Sequence, residues 1–279
     1  MQYFVNRIIE KRGNRMKRVL KKVTGIIMAA AFAVSALSVA KVDAKATAAI
    51  NANQEYKLTL GYDEKAEYTF VTQPDCTTSV TACIVGGSSN TGFAWMKITV
   101  DYCKYDSVYV DNEKGAASTG TFVFAPGKTA TLTFNSSNVG TKKTIDIAFT
   151  VNSTPVSNLE KEGNNSPNSA TKIKLNKTYN GVVSYADSDT DWYVFKAPKT
   201  GKYKFYVVNT MTDGGKSVWC HGYKSKTKND SDFSAYLTAG DGWKNSKKIK
   251  LKKGKKYYIK FSSTGHKAVP VQIRVKKVK

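Results

Sequence analysis

Short runs of alternating apolar and polar residues, bounded by Gly, Asp, Asn or Pro, recur along the chain after residue 46. Examples are residues 56–60, 66–71, 95–100 and 203–208. These runs are rich in β-branched and aromatic residues, and alternation with a period of two places one set of side chains on one face of a strand. The 3.6-residue apolar period of a helix is missing from the sequence beyond residue 46. The pattern predicts an all-β protein of sandwich or barrel type.

The N-terminal segment has a different character. Residues 1–22 contain eight basic residues and one acid, and residues 23–40 form an apolar run. This order is typical of a cleaved signal peptide, and small residues at Ala44 and Ala46 predict cleavage there. We therefore predict a signal peptide at 1–44, whose true start can also be Met16, and a secreted protein. The alternative is a membrane anchor, because about 18 apolar residues can span a bilayer. The apolar run is not followed by a Cys, so no lipid anchor is predicted.

Charge is unevenly distributed over the rest of the chain. Residues 45–154 carry 9 Lys and 10 acids, net −1, whereas residues 155–279 carry 26 basic residues and 9 acids, net +17. Such a difference indicates two domains with different surfaces. The segment between them is rich in Pro, Ser, Asn and Gly, which is typical of a linker. We predict a first domain at 45–153, a linker and entry loop at 154–168, and a second domain at 169–279.

The ends of the two halves resemble each other. Residues 122–151 read as strand, turn, strand, loop and strand, and residues 249–275 repeat that order. Gly127 corresponds to Gly254, and the final strands have apolar residues in the same alternate phase. Chance alternation is the alternative, but the paired features follow one another in the same order. The repeat predicts two tandem antiparallel β-sandwiches, jelly-roll-like, each of about 110–125 residues.

Four features of the second half occur in a characteristic order. They are an acidic, Asn-rich entry at 160–170, Gly181 before a strand, an Asp-x-Asp-Trp-Tyr-x-Phe strand at 189–195, and a Gly-x-x-Tyr-Tyr-Ile strand at 254–259. In these features residues 159–279 resemble the bacterial pre-peptidase C-terminal domain, a secreted β-sandwich often appended to extracellular peptidases and collagenases. The usual Pro of the entry is Gly163 here. Residues 51–153 resemble the same family only weakly.

The resemblance implies a calcium site. Family members that bind collagen hold calcium between the entry segment and the loop before the Asp-Trp-Tyr strand. The corresponding positions here are Glu160, Glu162, Asn164, Asn165, Asp187, Asp189 and Asp191. Calcium takes about six to eight oxygen ligands, which clustered carboxylates and amides supply. The alternative is a pair of Asp- and Asn-rich turns whose side chains bond the local backbone.

Four cysteines occur, at positions 76, 83, 103 and 220. An exported chain permits disulfides, and three complete pairings are possible. A bond between Cys76 and Cys83 would close a short hairpin-like loop, and this pair is our candidate disulfide. The spacings do not match zinc or thioredoxin-type sites. Cys220 and His221 are adjacent, but neighbouring residues of a strand point to opposite faces, which disfavours a nucleophile and base pair.

Residues 155–279 contain 25 Lys and a single Arg, Arg274. Lys-only charge suits diffuse attraction to polyanions, whereas a reader of phosphate geometry would favour Arg. We therefore expect an extracellular polyanion, a glycan or a matrix protein as partner, with nucleic acid disfavoured. The alternative is solvated Lys from a biased composition. The candidate ligand-binding aromatics are Trp219, Tyr223, Tyr236 and Trp243, which can stack on sugars or peptides or can be ordinary packing residues.

The sequence lacks the motifs of common hydrolases and nucleotide-binding enzymes, and it contains only two His residues. We therefore predict a secreted non-catalytic binding module for an extracellular polymer, stabilised by calcium. One alternative is a secreted hydrolase, such as a paired-carboxylate glycosidase whose two acids need no fixed spacing, or an accessory protein of a peptidase. Another is a structural spacer of a cell-surface assembly.

Overall fold

The computed structural model describes residues 40–41 and 47–279, except 102, 114, 185–188, 212–215, 227–229 and 266–267. The predicted signal peptide lies outside the described residues apart from Ala40 and Lys41. The described part of the chain contains strands and turns, and none of it forms a helix long and apolar enough to cross a membrane. Four sheets form two sandwich-like units, so the predicted all-β fold class is confirmed.

The first sandwich consists of two sheets packed on a common hydrophobic cluster. Its strands are β1 (Ala40–Lys41), β2 (Ala48–Ala49), β3 (Glu55–Leu60), β4 (Lys65–Val71), β5 (Cys76–Gly87), β6 (Phe93–Val100), β7 (Cys103–Val110), β8 (Ala117–Ser118), β9 (Phe122–Val123), β10 (Thr129–Ser137) and β11 (Ile145–Pro155). One sheet has the order β1-β3-β11-β5-β8, with β9 also paired to β5. The other has the order β2-β4-β10-β6-β7.

The second sandwich is built in the same way. Its strands are β12 (Thr171–Ile173), β13 (Thr178–Val183), β14 (Thr190–Lys196), β15 (Gly201–Asn209), β16 (Ser217–Tyr223), β17 (Phe233–Thr238), β18 (Lys244–Asn245), β19 (Ile249–Leu251), β20 (Lys256–Ser263) and β21 (Val269–Val278). One sheet has the order β13-β21-β15-β18, with β19 also paired to β15. The other has the order β12-β14-β20-β16-β17.

Apart from the two-residue strand β1, the two sandwiches therefore have the same strand order. In each, a short first strand pairs in parallel with its neighbour, β2 with β4 and β12 with β14. The last strand is central in each copy, because β11 lies between β3 and β5 as β21 lies between β13 and β15. This shared topology is what the internal repeat predicts for a duplicated domain.

The duplication defines equivalent positions in the two copies. Ala66 on β4 faces Phe134 on β10, and Asp191 on β14 faces Phe261 on β20. The alternate residues on both strands are buried, so these two positions point into the core of their own sandwich. A buried alanine in the first copy thus corresponds to a buried aspartate in the second.

The two sandwiches meet at an apolar junction. Leu159, Val182 and Ala268 belong to the second half of the chain, but they are part of the hydrophobic cluster of the first sandwich, together with residues such as Phe122 and Phe124. Val156, at the end of β11, packs against the same cluster. The segment that enters the second sandwich is therefore held against the first.

The predicted disulfide between Cys76 and Cys83 is wrong. Both cysteines lie on β5, which is a single strand rather than a hairpin, and both are free. They pair with Pro155 and Ala148 of β11. Seven residues of extended chain span about 23 Å, whereas the Cα atoms of a disulfide lie within about 7 Å of each other. Cys220 is a free, buried thiol.

Candidate functional site

An acidic cluster lies where the entry segment meets β13 and β14. Glu160, Glu162 and Asp191 each place a carboxylate oxygen within 4.8 Å of the others. Two backbone contacts fix the entry segment at this point: the Glu160 amide donates to the Asn180 carbonyl at 2.8 Å, and the Trp192 amide donates to the Asn164 carbonyl at 3.0 Å. Residues separated by some thirty positions in sequence thus converge on one small volume.

Glu160 is the best-partnered member of the cluster. Its Oε1 accepts a hydrogen bond from the Val182 amide at 2.6 Å, and its Oε2 accepts one from the Tyr193 hydroxyl at 2.6 Å. The Asn164 side-chain amide also donates to Oε2, at 3.3 Å. Glu160 is buried, and these bonds orient its carboxylate toward the rest of the cluster.

Asp191 lacks such partners. Its side chain is completely buried, and neither carboxylate oxygen accepts a hydrogen bond of normal geometry. The side-chain oxygen of buried Asn164 is also without a donor. Among the described residues, Glu160, Glu162 and Asp191 have no Lys or Arg at ion-pair distance, although this half of the chain is Lys-rich. Buried, unpaired carboxylates are costly to fold around, so the protein alone does not satisfy this cluster.

Burial and mutual repulsion raise the pKa values of the acids in this cluster. Burial, together with the nearby Asp189, raises the pKa of Glu160 to about 7, although bonds from Tyr193, Val182 and Asn164 oppose the shift. Burial and the charges of Glu160 and Asp189 raise the pKa of Glu162 to about 9. Burial and the same carboxylates raise the pKa of Asp191 well above its ordinary value, an effect that the Asn164 amide only partly offsets. Without a cation, these acids therefore keep their protons to a higher pH than ordinary carboxyl groups do.

The donor set fits a hard divalent cation. All the candidate ligand atoms are carboxylate or amide oxygens, and three of them, on Asp191 and Asn164, are buried without partners. Calcium prefers oxygen ligands, and its charge would reverse the repulsion that raises these pKa values. Glu160, Glu162, Asn164 and Asp191 are the residues that would hold it.

The other predicted calcium ligands have different environments. Asp189 is buried and near enough to influence the pKa of Glu160 and Glu162, and its Oδ2 accepts a bond from the Ser184 amide at 2.9 Å. Asn165 is exposed to solvent. Asp187 lies outside the described residues.

Gly181 has a packing role at this site. A Cβ at this position would collide with the Tyr193 hydroxyl and would lie 2.7 Å from Glu160 Oε2. Glycine thus allows β13 to approach the cluster closely enough for the Val182 amide to reach Glu160. This gives a physical reason for the glycine that the sequence motif contains.

Aromatic side chains form a row on the outer face of the second sandwich's sheet β12-β14-β20-β16-β17. We call it the aromatic face, and it consists of Trp192, Trp219, His221, Tyr223 and Tyr236. The ring centroids of successive members, in the order Trp192, Tyr223, His221, Trp219 and Tyr236, are 5.5, 6.4, 5.7 and 4.8 Å apart.

The row results from strand alternation and register. Val218, Cys220 and Gly222 of β16 point inward, so Trp219, His221 and Tyr223 point outward. Across β17, Trp219 faces Tyr236, and across β20, His221 faces Lys260, which lies 5.9 Å from the Trp192 ring centroid. Three of the four predicted ligand-binding aromatics are thus together on strands rather than on loops.

Trp243, the fourth predicted aromatic, lies elsewhere. Its ring centroid is 4.2 Å from the Arg274 guanidinium carbon, which places it beside β21 in the opposite sheet. Trp192 and His221 were not among the predicted binding residues, but each stands at an outward position of a strand. Reading that alternation along β16 would have identified His221.

A second exposed aromatic group, also not predicted, lies on the first sandwich. The Trp95 ring centroid is 5.2 Å from that of Tyr109 and 6.5 Å from that of Phe93. Trp95 is 44% exposed and borders a cleft of about 690 Å³ that also contacts Lys216 and Pro270 of the second sandwich. This group offers a natural comparison for the aromatic face.

The adjacent Cys220 and His221 do not form a catalytic pair. Cys220 is fully buried and burial raises the pKa of its thiol well above the usual value. His221 lies on the outer face, where its Nδ1 is 2.9 Å from the Ser234 hydroxyl. Burial and the charge of Lys260 lower the pKa of His221, so the ring is neutral at neutral pH.

Proteins similar to this chain were found among solved structures, and in neither of the other two comparisons. No protein-family model and no curated protein matches the chain. The pre-peptidase C-terminal domain of a collagenase from Bacillus anthracis is 21% identical, with 38% of this chain and 94% of that chain covered and a TM-score of 0.31. The CBM22-1–CBM22-2 tandem domain of Paenibacillus barcinonensis Xyn10C is 10% identical, with 79% and 86% covered and a TM-score of 0.27. The PBSX exported protein XepA is 13% identical, with 80% and 86% covered and a TM-score of 0.24. The fold class therefore rests on the sheet order of the chain itself.

Proposed function

We propose that this protein is an exported, non-catalytic binding module that holds an extracellular glycan on the aromatic face of its second sandwich. The observation that carries the proposal is the continuous row of five rings across three strands, with Trp219 41% and Tyr236 42% exposed. Large aromatic side chains exposed together on the outer face of a sheet are typical of interaction surfaces.

The chemistry of the face suits a sugar polymer. Aromatic rings offer flat apolar surfaces, and Tyr and Trp also carry hydrogen-bonding groups at their edges. Hydroxyl groups lie among the rings, because Ser234 pairs with His221 and Ser262 pairs with Trp219 across the sheet. Neutral His221 adds a hydrogen-bonding ring without adding charge. A glycan presents the complementary pattern of apolar ring faces bordered by hydroxyls.

Calcium has a structural role in this proposal. The acidic cluster is buried beneath the entry segment, whereas the aromatic face is on the outer side of the β16 and β17 region. An ion bound by Glu160, Glu162, Asn164 and Asp191 would fasten the entry segment to β14 and so stabilise the sheet that carries the rings. The residue chemistry and the family resemblance support this assignment.

Removing rings from the face tests the proposal. A variant combining Trp219→Ala with Tyr236→Ala should bind purified cell-wall glycans at least about thirtyfold more weakly, since loss of central aromatic contacts costs about 2 kcal/mol. The matched control is Trp95→Ala, which removes an equally exposed tryptophan from the first sandwich. Affinity is measured by titration and by retention on insoluble polysaccharide, with circular dichroism to verify folding.

The outcomes separate the candidate functions. Equal loss of binding in the control would locate the glycan site at the cleft beside Trp95. Binding to matrix protein but not to glycans, lost in the double variant, would replace the sugar with a peptide ligand on the same face. Unchanged glycan binding in the double variant would refute the proposal.

A further inference from the structure

The outer face of the sheet formed by β13, β21, β15 and β18 with β19 is strongly basic. Alternation on three strands turns five cations to this side, and we call the surface they form the basic face. Its members are Lys202, Lys204, Lys250, Arg274 and Lys276. Lys202, Lys250 and Lys276 are exposed, and Lys204 and Arg274 are partly exposed.

The register places like charges directly opposite one another. Lys204 on β15 faces Lys276 on β21, and Lys202 on β15 faces Lys250 on β19. Neighbouring strands are about 5 Å apart and alternate residues about 7 Å apart, so the cations form a closely spaced grid. Like charges in directly opposed positions destabilise a sheet. An anionic ligand would relieve this repulsion.

The basic face has no internal counterions among the described residues. The ion pairs of that part of the chain involve Lys65, Lys128, Lys224 and Lys244, and none of them belongs to the face. The Lys204 ammonium donates to the Asn245 side-chain oxygen at 3.0 Å, which is a neutral partner. The face thus retains its full positive charge.

Arg274 lies at one end of this face, next to two aromatic rings. Its guanidinium carbon is 4.2 Å from the Trp243 ring centroid and 5.3 Å from that of Tyr206, and Lys276 lies 5.8 Å from the Tyr206 ring. Its Nε is buried without a hydrogen-bond acceptor. A guanidinium stacked on aromatic rings keeps its planar fork of donors oriented, which suits two oxygens of one anionic group.

We propose that the basic face binds a phosphodiester-linked extracellular polymer. The charge of the face requires a polyanion, because a single small anion could neutralise only part of a grid of five cations. A phosphodiester carries its charge on paired oxygens in the backbone of the polymer, so successive groups can follow the Lys rows while one occupies the fork of Arg274.

The aromatic rings favour a phosphodiester polymer over an acidic polysaccharide. Both rings of this surface, Trp243 and Tyr206, are engaged by the cations Arg274 and Lys276. They are therefore less available for stacking on a pyranose ring than the rings of the aromatic face. Recognition here depends on charge, whereas recognition on the aromatic face depends on ring surfaces.

This inference goes beyond the proposed glycan function and is independent of it. The two faces are the outer sides of opposite sheets of one sandwich, so a ligand on one does not occupy the other. Removing Trp219 and Tyr236 from the aromatic face would weaken glycan binding and leave phosphodiester binding unchanged. Failure of either proposal is therefore distinguishable from failure of the other.

The test combines Lys204→Gln, Arg274→Gln and Lys276→Gln in the exported chain. The probe is synthetic poly(glycerol phosphate), titrated over a series of salt concentrations. Affinity for a polyanion falls as salt rises, and each cation-phosphate contact contributes about 0.7 to 0.9 to the steepness of log affinity against log salt. Loss of three contacts should therefore make this dependence shallower by about 2. The matched control is Lys172→Gln, Lys174→Gln and Lys196→Gln, which removes three exposed lysines on or directly after β12 and β14 and should leave most of the affinity and slope.

A second variant protects the test against misfolding. Lys202→Gln with Lys250→Gln removes only one opposed pair of like charges, so its melting temperature should be equal to or higher than that of the parent chain. Its affinity for poly(glycerol phosphate) should nevertheless fall. Equal loss in the control triple variant would refute a localised site. Tighter binding of heparin or polygalacturonate than of poly(glycerol phosphate) would refute the phosphodiester assignment.

Discussion

Without calcium, replacing Asp191 with Ala should make the protein more stable. The side chain is buried, both its oxygens lack partners, and Ala66 occupies the equivalent position of the first sandwich, so the fold accommodates alanine there. Burial and the neighbouring carboxylates raise the pKa of Asp191 well above its ordinary value, so the ionised form is disfavoured in the folded state. A buried polar group without a partner costs about 1–3 kcal/mol, and more when it is charged, so we expect this side chain to cost about 3 kcal/mol.

Part of this gain is offset by lost packing around the missing carboxylate, and we expect a net stabilisation of about 2 kcal/mol. For a chain of this length, each kcal/mol raises the melting temperature by about 2–4 °C, so the variant should melt about 4–8 °C higher in the presence of a chelator.

Calcium should reverse the order of stability. An ion that binds only the folded form adds about 2.7 kcal/mol at a hundredfold excess over its dissociation constant. The parent chain should gain this increment, whereas the Asp191→Ala chain should gain little of it. The assay is calorimetric melting of both chains, first with chelator and then with saturating calcium.

A matched control distinguishes the cluster from acidic residues in general. Asp232 accepts hydrogen bonds from the Lys224 ammonium at 3.0 Å and from the Lys224 amide at 3.1 Å. Asp232→Asn should therefore lose stability, by about 0.5–1.5 kcal/mol, and should keep the full calcium response. Coincident melting curves of the parent chain with calcium and with chelator would show that the cluster consists of ordinary turn residues. Lower stability of Asp191→Ala in chelator would refute the argument that Asp191 is unsatisfied.

Two further predictions concern the same cluster. The pKa values of Glu160 and Glu162 are raised to about 7 and about 9, so the protonated forms are favoured in the folded state, and the calcium-free protein should lose stability as pH rises from about 4.5 through 9. Urea unfolding along a pH series measures this, and a calcium-free stability that rose over that range would contradict the buried, unpaired state of the acids. Gly181→Ala should destabilise the chain by about 1–3 kcal/mol, because the added methyl collides with Tyr193. Gly265→Ala, which meets no atom within 4 Å, is the control, and equal stability of the two variants would show that β13 does not pack tightly on the cluster.

Alternation in the sequence was enough to predict most of the core strands and the duplication. β4, β10, β14 and β20 alternate in burial and have aromatic residues at buried positions of the alternation, and that signal is local. The spacing of Cys76 and Cys83 instead suggests a hairpin-like loop closed by a disulfide, and the Thr- and Ser-rich start of this segment gives little local signal for the strand β5. Its extended form depends on pairing with β11, which is some seventy residues away, and such long-range pairing leaves little trace in the local sequence.

For the candidate sites too, the sequence predicts which residues take part, whereas packing and register decide how they are arranged. The residues of the acidic cluster were found through a motif, but their burial and the missing partners of Asp191 depend on how the entry segment packs against β13 and β14. Trp219, Tyr223 and Tyr236 were chosen by residue type, and strand register brings them together. Trp243 has the same residue type, yet it lies beside Arg274 on the opposite sheet because the chain changes sheets after β17. Residue type identified candidates, and register decided which of them share a surface.

The duplicated fold shows that the acidic cluster is not needed to build a sandwich of this kind. In the first copy, Ala66 replaces Asp191, and the hydroxyl of Tyr68, which corresponds to Tyr193, is buried without a partner. In the second copy, the Tyr193 hydroxyl instead donates to Glu160. The cluster therefore adds a folding cost that the common topology does not require, and a ligand that binds only the folded form can offset such a cost. Because Leu159 and Val182, which flank the cluster, also pack into the hydrophobic cluster of the first sandwich, an ion bound at this point would stabilise the connection between the two sandwiches as well as the second sandwich itself.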